Sequence, residues 1–473
     1  MRLTRRAPVQ EWVVATVFVT ALFMSILDST IVTVALPTIA RDLAVTTAST
    51  GWVVIGYLLS LAVLIPASGW IGDRFGTRRV FLLALALFGV SSALCGLARD
   101  LELLVAFRVL QGAAGGMLLP VGTAMLFRTF PPKRRAHAAS IIIVPTTVAP
   151  AMGPVLGGAL VETVGWPGIF LVNVPIAAAT LVFGWLFLHE HREAQPGRFD
   201  APGFILSAAS LSLVLLALTQ APDLGLGSPM VLAAGGIGLA LGVVLIPIEL
   251  RRREPLLKLR LLGERLFALV NVASFFGFGS YIGLLYVMPL FLQEAHHASP
   301  LESGLTTFPE AVGVILSSRV SARLYPRVGP RRLIAGGLFG TTAAMLLCTQ
   351  LDAGTNLWVV RGLMFGAGVA MASVFLSINA AAFAGIAHAD MGRASAIFNT
   401  QRRVAAAAVV AVLATMLAGL VPGLGTGTPA PDDVVAAFRI VFALNAAIAF
   451  VGAIAALAIR DSDAAETMVT RTG

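Results

Sequence analysis

The stretch DRFGTRRV at residues 73–80 recurs as PRVGPRRL at residues 326–333, which lie 253 positions further along the chain. The same offset relates Arg108, which opens RVLQGAAGGM, to Arg361, which opens RGLMFGAGVAM. Two more pairs of identical residues keep this offset: Gly51 with Gly304, and Cys95 with Cys348. Agreement at one fixed offset, with no gap between the motifs, indicates that the chain contains two related halves.

Between these motifs the sequence is strongly apolar. Of the 473 residues, 58% are hydrophobic and 12% are charged, whereas soluble domains average about 45–50% and about 25%. A helix of about 20 apolar residues crosses a hydrocarbon core about 30 Å thick, and runs of this length follow one another along nearly the whole chain. The composition therefore predicts an all-α membrane protein without a sizeable soluble domain.

Hydropathy and loop breaks predict fourteen membrane spans. They lie near residues 12–38, 51–70, 79–98, 102–126, 138–161, 168–189, 201–220, 229–249, 266–292, 303–324, 332–350, 355–385, 397–421 and 436–459. The offset places spans 1–4 on spans 9–12, so spans 5 and 6 correspond to spans 13 and 14, as in transporters built from parallel repeats. Spans 7 and 8 have no counterpart. We therefore predict an N-terminal six-helix bundle (1–195), an inserted helix pair (196–255) and a C-terminal six-helix bundle with a short tail (256–473).

The basic residues indicate the orientation of these spans. Most of the 33 Lys and Arg residues fall on one face, in the tails and in the segments 74–79, 128–135, 192–198, 251–265, 319–332 and 393–403. The loops of the opposite face hold Arg41 and Arg99. Because loops rich in Lys and Arg stay in the cytoplasm, both termini are predicted to be cytoplasmic. The net charge of +9 then follows from topology, and we expect no nucleic-acid partner.

Four motifs occur in order on predicted spans: LDSTIVTVALP (27–37), GWIGDRFGTRR (69–79), RVLQGAAGG (108–116) and GPVLGG (153–158). Together they resemble the signature motifs of the fourteen-helix drug:proton antiporters of the major facilitator superfamily, over essentially the full chain. The resemblance implies the major facilitator fold, with two six-helix bundles plus two inserted helices. It also implies proton-coupled export of small amphipathic or toxic compounds, as in multidrug efflux, by a monomer in the bacterial inner (plasma) membrane, without a cofactor.

The second motif implies a conformational latch that holds the outward-facing state. Its members are the small or charged residues of the loop between spans 2 and 3: Gly69, Asp73, Arg74, Gly76, Arg78 and Arg79. Asp73 is expected to face the N-terminus of a neighbouring helix, where the helix dipole favours an anion. In the second half Pro326 replaces this aspartate, so the second loop is expected to latch weakly or not at all. The alternative is a basic loop that only sets topology.

Asp28 and Arg108 are the predicted proton-coupling residues of the N-terminal half. Asp28 lies deep in span 1, and an ionisable residue at such depth costs about 2.5–3.5 kcal/mol on insertion scales and usually has a function. Arg108 in span 4 stays charged at physiological pH and needs a carboxylate or a polar cavity. In the resembled family the matching arginine modulates proton binding by a carboxylate. A purely structural Asp28, bonded to neighbouring hydroxyls, is the alternative.

Three polar residues and one acidic residue complete the candidates inside the spans. Gln111 follows Arg108 by about one helical turn, and with Asn173 and Tyr281 it is a candidate to line the substrate cavity. Tyr281 is the repeat counterpart of Asp28. Glu310 in span 10 is a candidate second proton-coupling site, or else a counter-charge for a cationic substrate or a group that reaches a wet vestibule.

The fourth motif implies an antiporter, because the resembled pattern is found in exporters. Its residues Gly153, Pro154, Gly157 and Gly158 are small or kink-forming, and they predict close approach of span 5 to another helix. Ordinary small-residue packing would give the same pattern.

No pattern in the sequence supports catalysis or metal binding. The six histidines fall in loops or at span ends, and there is no nucleophile triad, Walker motif or CxxC pair. We therefore expect a protein that is not an enzyme, with protons, a small-molecule substrate and the lipid bilayer as partners. Export of an endogenous lipid, siderophore or metabolite remains open, as does a non-transporting membrane sensor or a membrane-embedded enzyme.

Overall fold

The computed structural model of the protein describes residues 6–45, 47–131, 134–192, 197–225, 227–252, 254–421 and 431–468. Over these residues the chain consists of helices and their connections, without a β-strand. The all-α prediction is therefore confirmed for the described part of the chain.

The helices fall into three consecutive groups. Seven precede the predicted insertion: α1 (Arg6–Asp42), α2 (Thr47–Phe75), α3 (Thr77–Gly96), α4 (Leu101–Thr129), α5 (Arg135–Thr163), α6 (Gly168–Leu171) and α7 (Asn173–Phe187). Two form the insertion: α8 (Ala201–Leu224) and α9 (Pro229–Arg251). The described chain continues with α10 (Arg265–Glu294), α11 (Pro300–Thr307), α12 (Pro309–Val328), α13 (Pro330–Cys348), α14 (Leu357–Ala382), α15 (Met391–Leu420) and α16 (Pro431–Leu457). Short 3-10 helices occupy Leu259–Gly263, His388–Asp390 and Asp461–Thr467.

Two predicted spans are each divided into two helices. Span 6 is interrupted at Val172, between α6 and α7, and span 10 is interrupted at Phe308, between α11 and α12. A proline follows each break, Pro175 in the first turn of α7 and Pro309 at the start of α12. Because proline has no N–H to donate to the preceding turn, it interrupts the helical hydrogen-bond ladder there.

Eleven helices in the described part of the chain are long and apolar enough to cross a membrane. The predicted spans outside this set are 138–161, 303–324 and 332–350. The predicted count of fourteen is compatible with the structure and stays a prediction.

The helix boundaries repeat at the offset found in the sequence. Adding 253 to the bounds of α2 gives residues 300 and 328, which are the first residue of α11 and the last residue of α12. The first residue of α3 corresponds in the same way to the first residue of α13, and the last of α4 to the last of α14. The two halves of the chain therefore repeat in backbone structure as well as in sequence.

Most helices pack mainly on other helices of the same half of the chain. In the first half, α1 packs on α5 and α7, and α2 packs on α4. In the second half, α12 and α13 pack on α14, while α10 packs on α15 and α16. The inserted α8 and α9 pack on each other, and α8 also packs on α2 and α15. The insertion therefore touches both halves, and the domain boundaries at 195 and 256 stay predictions.

The structure corrects the assignment of two basic residues to a cytoplasmic loop. Arg402 and Arg403, which the sequence places in a cytoplasmic loop, lie inside α15. The predicted span 13 (397–421) already contains both arginines, so counting them with the loop charges of 393–403 is wrong, and α15 begins earlier, at Met391. The remaining basic segments keep their positions at or beyond helix ends or along α12, and the orientation stays a prediction.

Reporter fusions test the orientation. We expect green fluorescent protein to be fluorescent and alkaline phosphatase to be inactive when either is fused after Arg260 or at the C-terminus, because positive charge concentrates on that face. Fusions after Ala353 should give the reverse pattern. An active phosphatase after Arg260 would contradict the orientation.

Candidate functional site

Asp28 and Arg108 form an ion pair inside the first half of the chain. Arg108 Nη1 of α4 donates to Asp28 Oδ2 of α1 at 2.6 Å. Arg108 Nε also donates to the backbone oxygen of Val53 in α2 at 3.1 Å. Both charged side chains are at most 1% exposed. The structure therefore brings together the two residues that the sequence singles out, and it connects three helices through them.

Two amide side chains complete the hydrogen bonding of Asp28. Gln111 Nε2 and Asn173 Nδ2 donate to Asp28 Oδ1 at 3.0 and 2.8 Å. Both amides also donate to Ser92 Oγ at 3.1 Å, and Arg108 Nη1 donates to Gln111 Oε1 at 2.7 Å. Gln111 and Asn173 are fully buried here and hold the carboxylate in place, while their predicted part in a substrate cavity stays a prediction.

Tyr57 of α2 is a member of this cluster that sequence reasoning missed. The guanidinium carbon of Arg108 lies 4.2 Å from the centre of the Tyr57 ring, and the Tyr57 hydroxyl is 3.3 Å from Ser25 Oγ. A cation over an aromatic face is attracted by the ring quadrupole, more strongly where water is excluded. Arg108 is thus held by a carboxylate on one side and a ring on the other.

The second half contains a carboxyl–tyrosine pair with the two residue types exchanged. The 253-residue offset maps Asp28 to Tyr281 and Tyr57 to Glu310. The Tyr281 hydroxyl of α10 faces the Glu310 carboxyl of α12. Each half therefore places one carboxyl beside one tyrosine at corresponding positions of corresponding helices, and the same offset could have revealed Tyr57 from the sequence.

The two pairs differ in their neighbouring charge. Glu310 is 3% exposed, and its Oε1 has no hydrogen-bond partner among the described residues. Arg361, the counterpart of Arg108, stacks on Trp358 at 4.5 Å and is not paired with Glu310 in the described chain. The first half thus holds a compensated charge pair, whereas the buried Glu310 carboxyl of the second half has no cation paired with it among the described residues.

The antiporter motif lies against Asp28's own helix. A side chain added at Gly153 of α5 would meet Thr30 Oγ1 at 2.2 Å, and one added at Gly157 would meet Ile31 Cγ1 at 3.0 Å. The predicted close approach is therefore found between α5 and α1, next to Asp28. Gly158 is different, because an added Cβ would meet nothing within 4 Å, so the expected packing contact is wrong for this residue.

The fourth member of that motif, Pro154, lies within α5. Its place in the helix agrees with the predicted span, and its role in a kink stays a prediction.

Asp73 and Gly69 join the first half to the start of α15. Asp73 Oδ1 accepts from Arg128 Nη2 at 2.7 Å, and both Asp73 oxygens lie close to Gly392 at the N-terminus of α15. A Cβ at Gly69 would lie 2.7 Å from the backbone carbon and oxygen of Gly392. The carboxylate therefore faces a helix N-terminus as predicted, and the glycine permits direct backbone contact there.

Further bonds between the halves surround this contact. Arg128 Nε donates to His388 O at 3.1 Å, and Ser395 Oγ donates to Pro120 O at 2.8 Å. Arg135 Nη1 donates to the backbone oxygen of Phe383. The sequence counted Arg128 and Arg135 only as topology signals, since their partners lie in the other half of the chain. In the structure they close the two halves against each other at this end.

The remaining residues of the predicted latch act within the first half. Backbone N–H groups of Arg78 and Arg79 donate to the Glu190 carboxylate at 3.0 and 3.3 Å, and Gly76 has a φ of +98°. Arg74 is exposed. The predicted group therefore separates: Gly69 and Asp73 contact the other half, whereas Arg78 and Arg79 fix α3 to the end of α7.

The second loop repeats only the contacts that the first loop makes within its own half of the chain. Arg331 N donates to Asp461 Oδ1 at 3.0 Å, just as Arg78 N donates to Glu190, and Gly329 has a φ of +88°. Both glycines adopt a backbone conformation that residues with a Cβ rarely reach. At Pro326, where the first loop has Asp73, no carboxylate is available for an interhelical contact.

The sequence profile of the Major Facilitator Superfamily matches residues 18–410 and, in a second match, residues 272–471. The chain belongs to the major facilitator superfamily. It is a multi-pass membrane protein of this transporter family, which confirms the predicted fold class.

Relatives from three bacteria support the assignment. The chain is 33% identical over 414 residues to a "Multidrug resistance protein B homolog" of Mycobacterium tuberculosis, covering 85% of this chain and 75% of the relative. It is 35% identical over 341 residues to the "Putative multidrug resistance protein MdtD" of Salmonella heidelberg, covering 72% and 71%. The MdtD of Klebsiella pneumoniae is 34% identical over 372 residues and 78% of either chain.

Among solved structures, the crystal structure of the human organic anion transporter MFSD10 (TETRAN) superposes with a TM-score of 0.64. The superposition covers 94% of this chain and 99% of that one, at 18% identity. This likeness confirms the major facilitator fold and no more.

The Gly69–Gly392 contact gives a test of the latch. We expect Gly69→Ala to separate the halves at this end, because its Cβ meets backbone that cannot rotate away. Spin labels at Arg74 and Ala389 should then report a longer mean distance than in the wild type. Gly158→Ala is the matched control, since it adds the same methyl group where nothing lies within 4 Å. An unchanged distance in Gly69→Ala would contradict the latch.

Proposed function

We propose that this chain is a proton-coupled antiporter that exports small amphipathic or toxic compounds, as in multidrug efflux. The observation that carries the proposal is the buried Asp28–Arg108 pair at the meeting point of α1, α2 and α4. The printed names of the bacterial relatives support export of drugs. We place the chain in the bacterial plasma membrane as a monomer with both termini in the cytoplasm, and we propose no enzymatic activity.

Protonation of Asp28 is the proposed coupling step. In the described arrangement Asp28 accepts from Arg108, Gln111 and Asn173 at once. A proton bound to Asp28 neutralises the carboxylate and leaves the arginine charge unpaired, and breaking a buried pair costs about 3–5 kcal/mol. The packing of α1 on α2 and α4 must then change. One charge that crosses 100 mV supplies about 2.3 kcal/mol, so membrane voltage and a pH gradient together supply a comparable free energy.

Glu310 is the proposed second proton site. A buried carboxyl without a cation is more stable when neutral, and the Tyr281 hydroxyl provides a hydrogen-bonding group beside it. The exchanged carboxyl–tyrosine positions support a related role in both halves. In this proposal each half contributes one carboxyl group that binds and releases a proton during the cycle.

The proposed latch connects protonation to access. Asp73, Arg128 and the start of α15 hold the halves together at the predicted cytoplasmic end. This supports an outward-facing state in which the contact is closed. A rearrangement of α2, which carries Asp73 and also contacts Arg108 through Val53, would release it.

Transport by coupling-site variants tests the proposal. We expect Asp28→Asn to abolish accumulation of a fluorescent substrate driven by a pH gradient in proteoliposomes, because asparagine cannot release a proton. Downhill flux of the same substrate should persist. Glu310→Gln should reduce gradient-driven transport at least several-fold, while Arg361→Gln serves as the control for loss of a charged residue outside the clusters. Gradient-driven accumulation by Asp28→Asn at the wild-type rate would contradict the proposed role of Asp28.

A further inference from the structure

Two adjacent arginines lie deep inside α15. Arg402 and Arg403 are about 17 Å from the start of this 30-residue helix at 1.5 Å per residue. On its different sides α15 packs on α2, α4, α8, α10 and α16. Both side chains keep intermediate accessible surface, so their surroundings leave interior space beside them.

Aromatic rings surround the Arg402 guanidinium. Its central carbon lies 4.0 Å from the ring centre of Phe278, 5.5 Å from that of Phe398 and 6.0 Å from that of Phe375. The Tyr281 ring packs edge-on against Phe375 at 4.8 Å. Rings attract a cation without neutralising it, so this setting holds the guanidinium and leaves its charge available.

Arg403 faces the inserted pair and the first half. It lines a cavity of about 10 Å³, room for about one water molecule, together with Ala62 and Ile65 of α2 and with Leu211 and Leu215 of α8. Apart from Thr400 and Arg403, the side chains that line it are apolar. The cavity therefore lies where α2, α8 and α15 meet, at a junction between the two halves and the insertion.

Neither arginine is paired with a carboxylate among the residues that the structure describes. The charged group acting on Arg402 is Arg403, another cation. Arginine presents five N–H donors and accepts none, and no hydrogen bond from either guanidinium is found within the described chain. By contrast, the interior Arg108 is matched by Asp28.

Two like charges without a described carboxylate partner are costly inside a membrane protein, and an anion bound beside them would remove the cost. We propose that Arg402 and Arg403 bind the anionic group of an amphipathic substrate, whose apolar or aromatic part packs among the rings of Phe278 and Phe375. This inference rests on the proposed export function and names the substrate class: carboxylates, sulfonates or phosphates attached to an apolar body. The planar guanidinium fork matches such oxyanions in two-bond geometry.

Neighbouring polar groups fit the same ligand. Gln401 Nε2 donates to Ser274 Oγ at 3.0 Å, while Thr400 Oγ1 has no hydrogen-bond partner among the described residues. A hydroxyl and two guanidinium groups provide donors within four consecutive positions of one helix. A lipophilic cation would meet repulsion here, so the site favours anions and disfavours cations of the same shape.

Two dyes with one xanthene framework and opposite charge test the site. Fluorescein is anionic at pH 8, and rhodamine 123 is cationic. Equilibrium binding of each dye is measured on the full chain in nanodiscs of phosphatidylcholine, a lipid without net charge. We expect the wild type to bind fluorescein at least tenfold more tightly than rhodamine 123. Arg402→Gln and Arg403→Gln should each weaken fluorescein binding by about 10- to 100-fold, since each removes charge-assisted hydrogen bonds.

Controls separate a binding role from a folding role. Arg402→Lys keeps the charge without the planar fork and should lose only part of the affinity, and it replaces Arg402→Gln if that variant does not fold. Arg361→Gln, which removes an arginine stacked on Trp358, should bind fluorescein as the wild type does. Unchanged fluorescein affinity in the folded Arg402 and Arg403 variants, or a wild-type preference for rhodamine 123, would overturn the anion site.

Transport measured in parallel distinguishes this inference from the proposed function. Arginine-dependent fluorescein binding without gradient-driven transport would support the site and contradict the coupling. Gradient-driven export of rhodamine 123 without arginine-dependent fluorescein binding would support the exporter and contradict the site.

Discussion

A charge inside a bilayer needs a partner, and in this chain the pairing of Asp28 with Arg108 connects the helices of the first half. The carboxylate accepts from Arg108, Gln111 and Asn173, so its charge organises polar groups from two other helices, α4 and α7. The close α1–α5 contact at Gly153 lies beside it. Because these groups share one carboxylate, a single proton changes many contacts at once. This is the physical basis on which we propose coupling.

The second constraint is the contact between the halves. Gly69 and Gly392 let two backbones touch, and Asp73 with Arg128 adds a buried ion pair at the same place. Helix α2 carries Gly69 and Asp73 at one end and contacts Arg108 through Val53. One helix therefore connects the proposed proton site with the proposed latch, which gives a mechanical route between them.

The repeat made much of the fold predictable from the sequence. Apolar runs predicted the helices, and the single offset predicted the correspondence of the two halves, whereas the matching helix boundaries became visible only in the structure. Asp28 and Arg108 stood out because ionisable residues are costly within spans. The sequence did not identify the hydrogen-bonding partner of each polar group, because the partners are far apart in the chain. Arg128, for example, contacts Asp73 only in the folded structure.

Arg402 and Arg403 were misplaced for a related reason. They were counted with the loop charges of 393–403 although they also fall in the predicted span 397–421, and the structure places them inside α15. Their cost within the bilayer becomes visible only when the surrounding rings and the lack of a described carboxylate partner are known. Polar residues that break a hydrophobic pattern are thus easy to detect and hard to interpret without the fold.

Proton release on substrate binding tests the central claim most directly. Saturating addition of an exported compound to the detergent-solubilised protein in weak buffer is followed with a pH electrode, for the wild type and for Asp28→Asn. The account predicts that the wild type releases protons and that Asp28→Asn releases fewer, because the asparagine has no proton to give up. Equal proton release by the two proteins, at equal substrate occupancy, would contradict Asp28 as a coupling site.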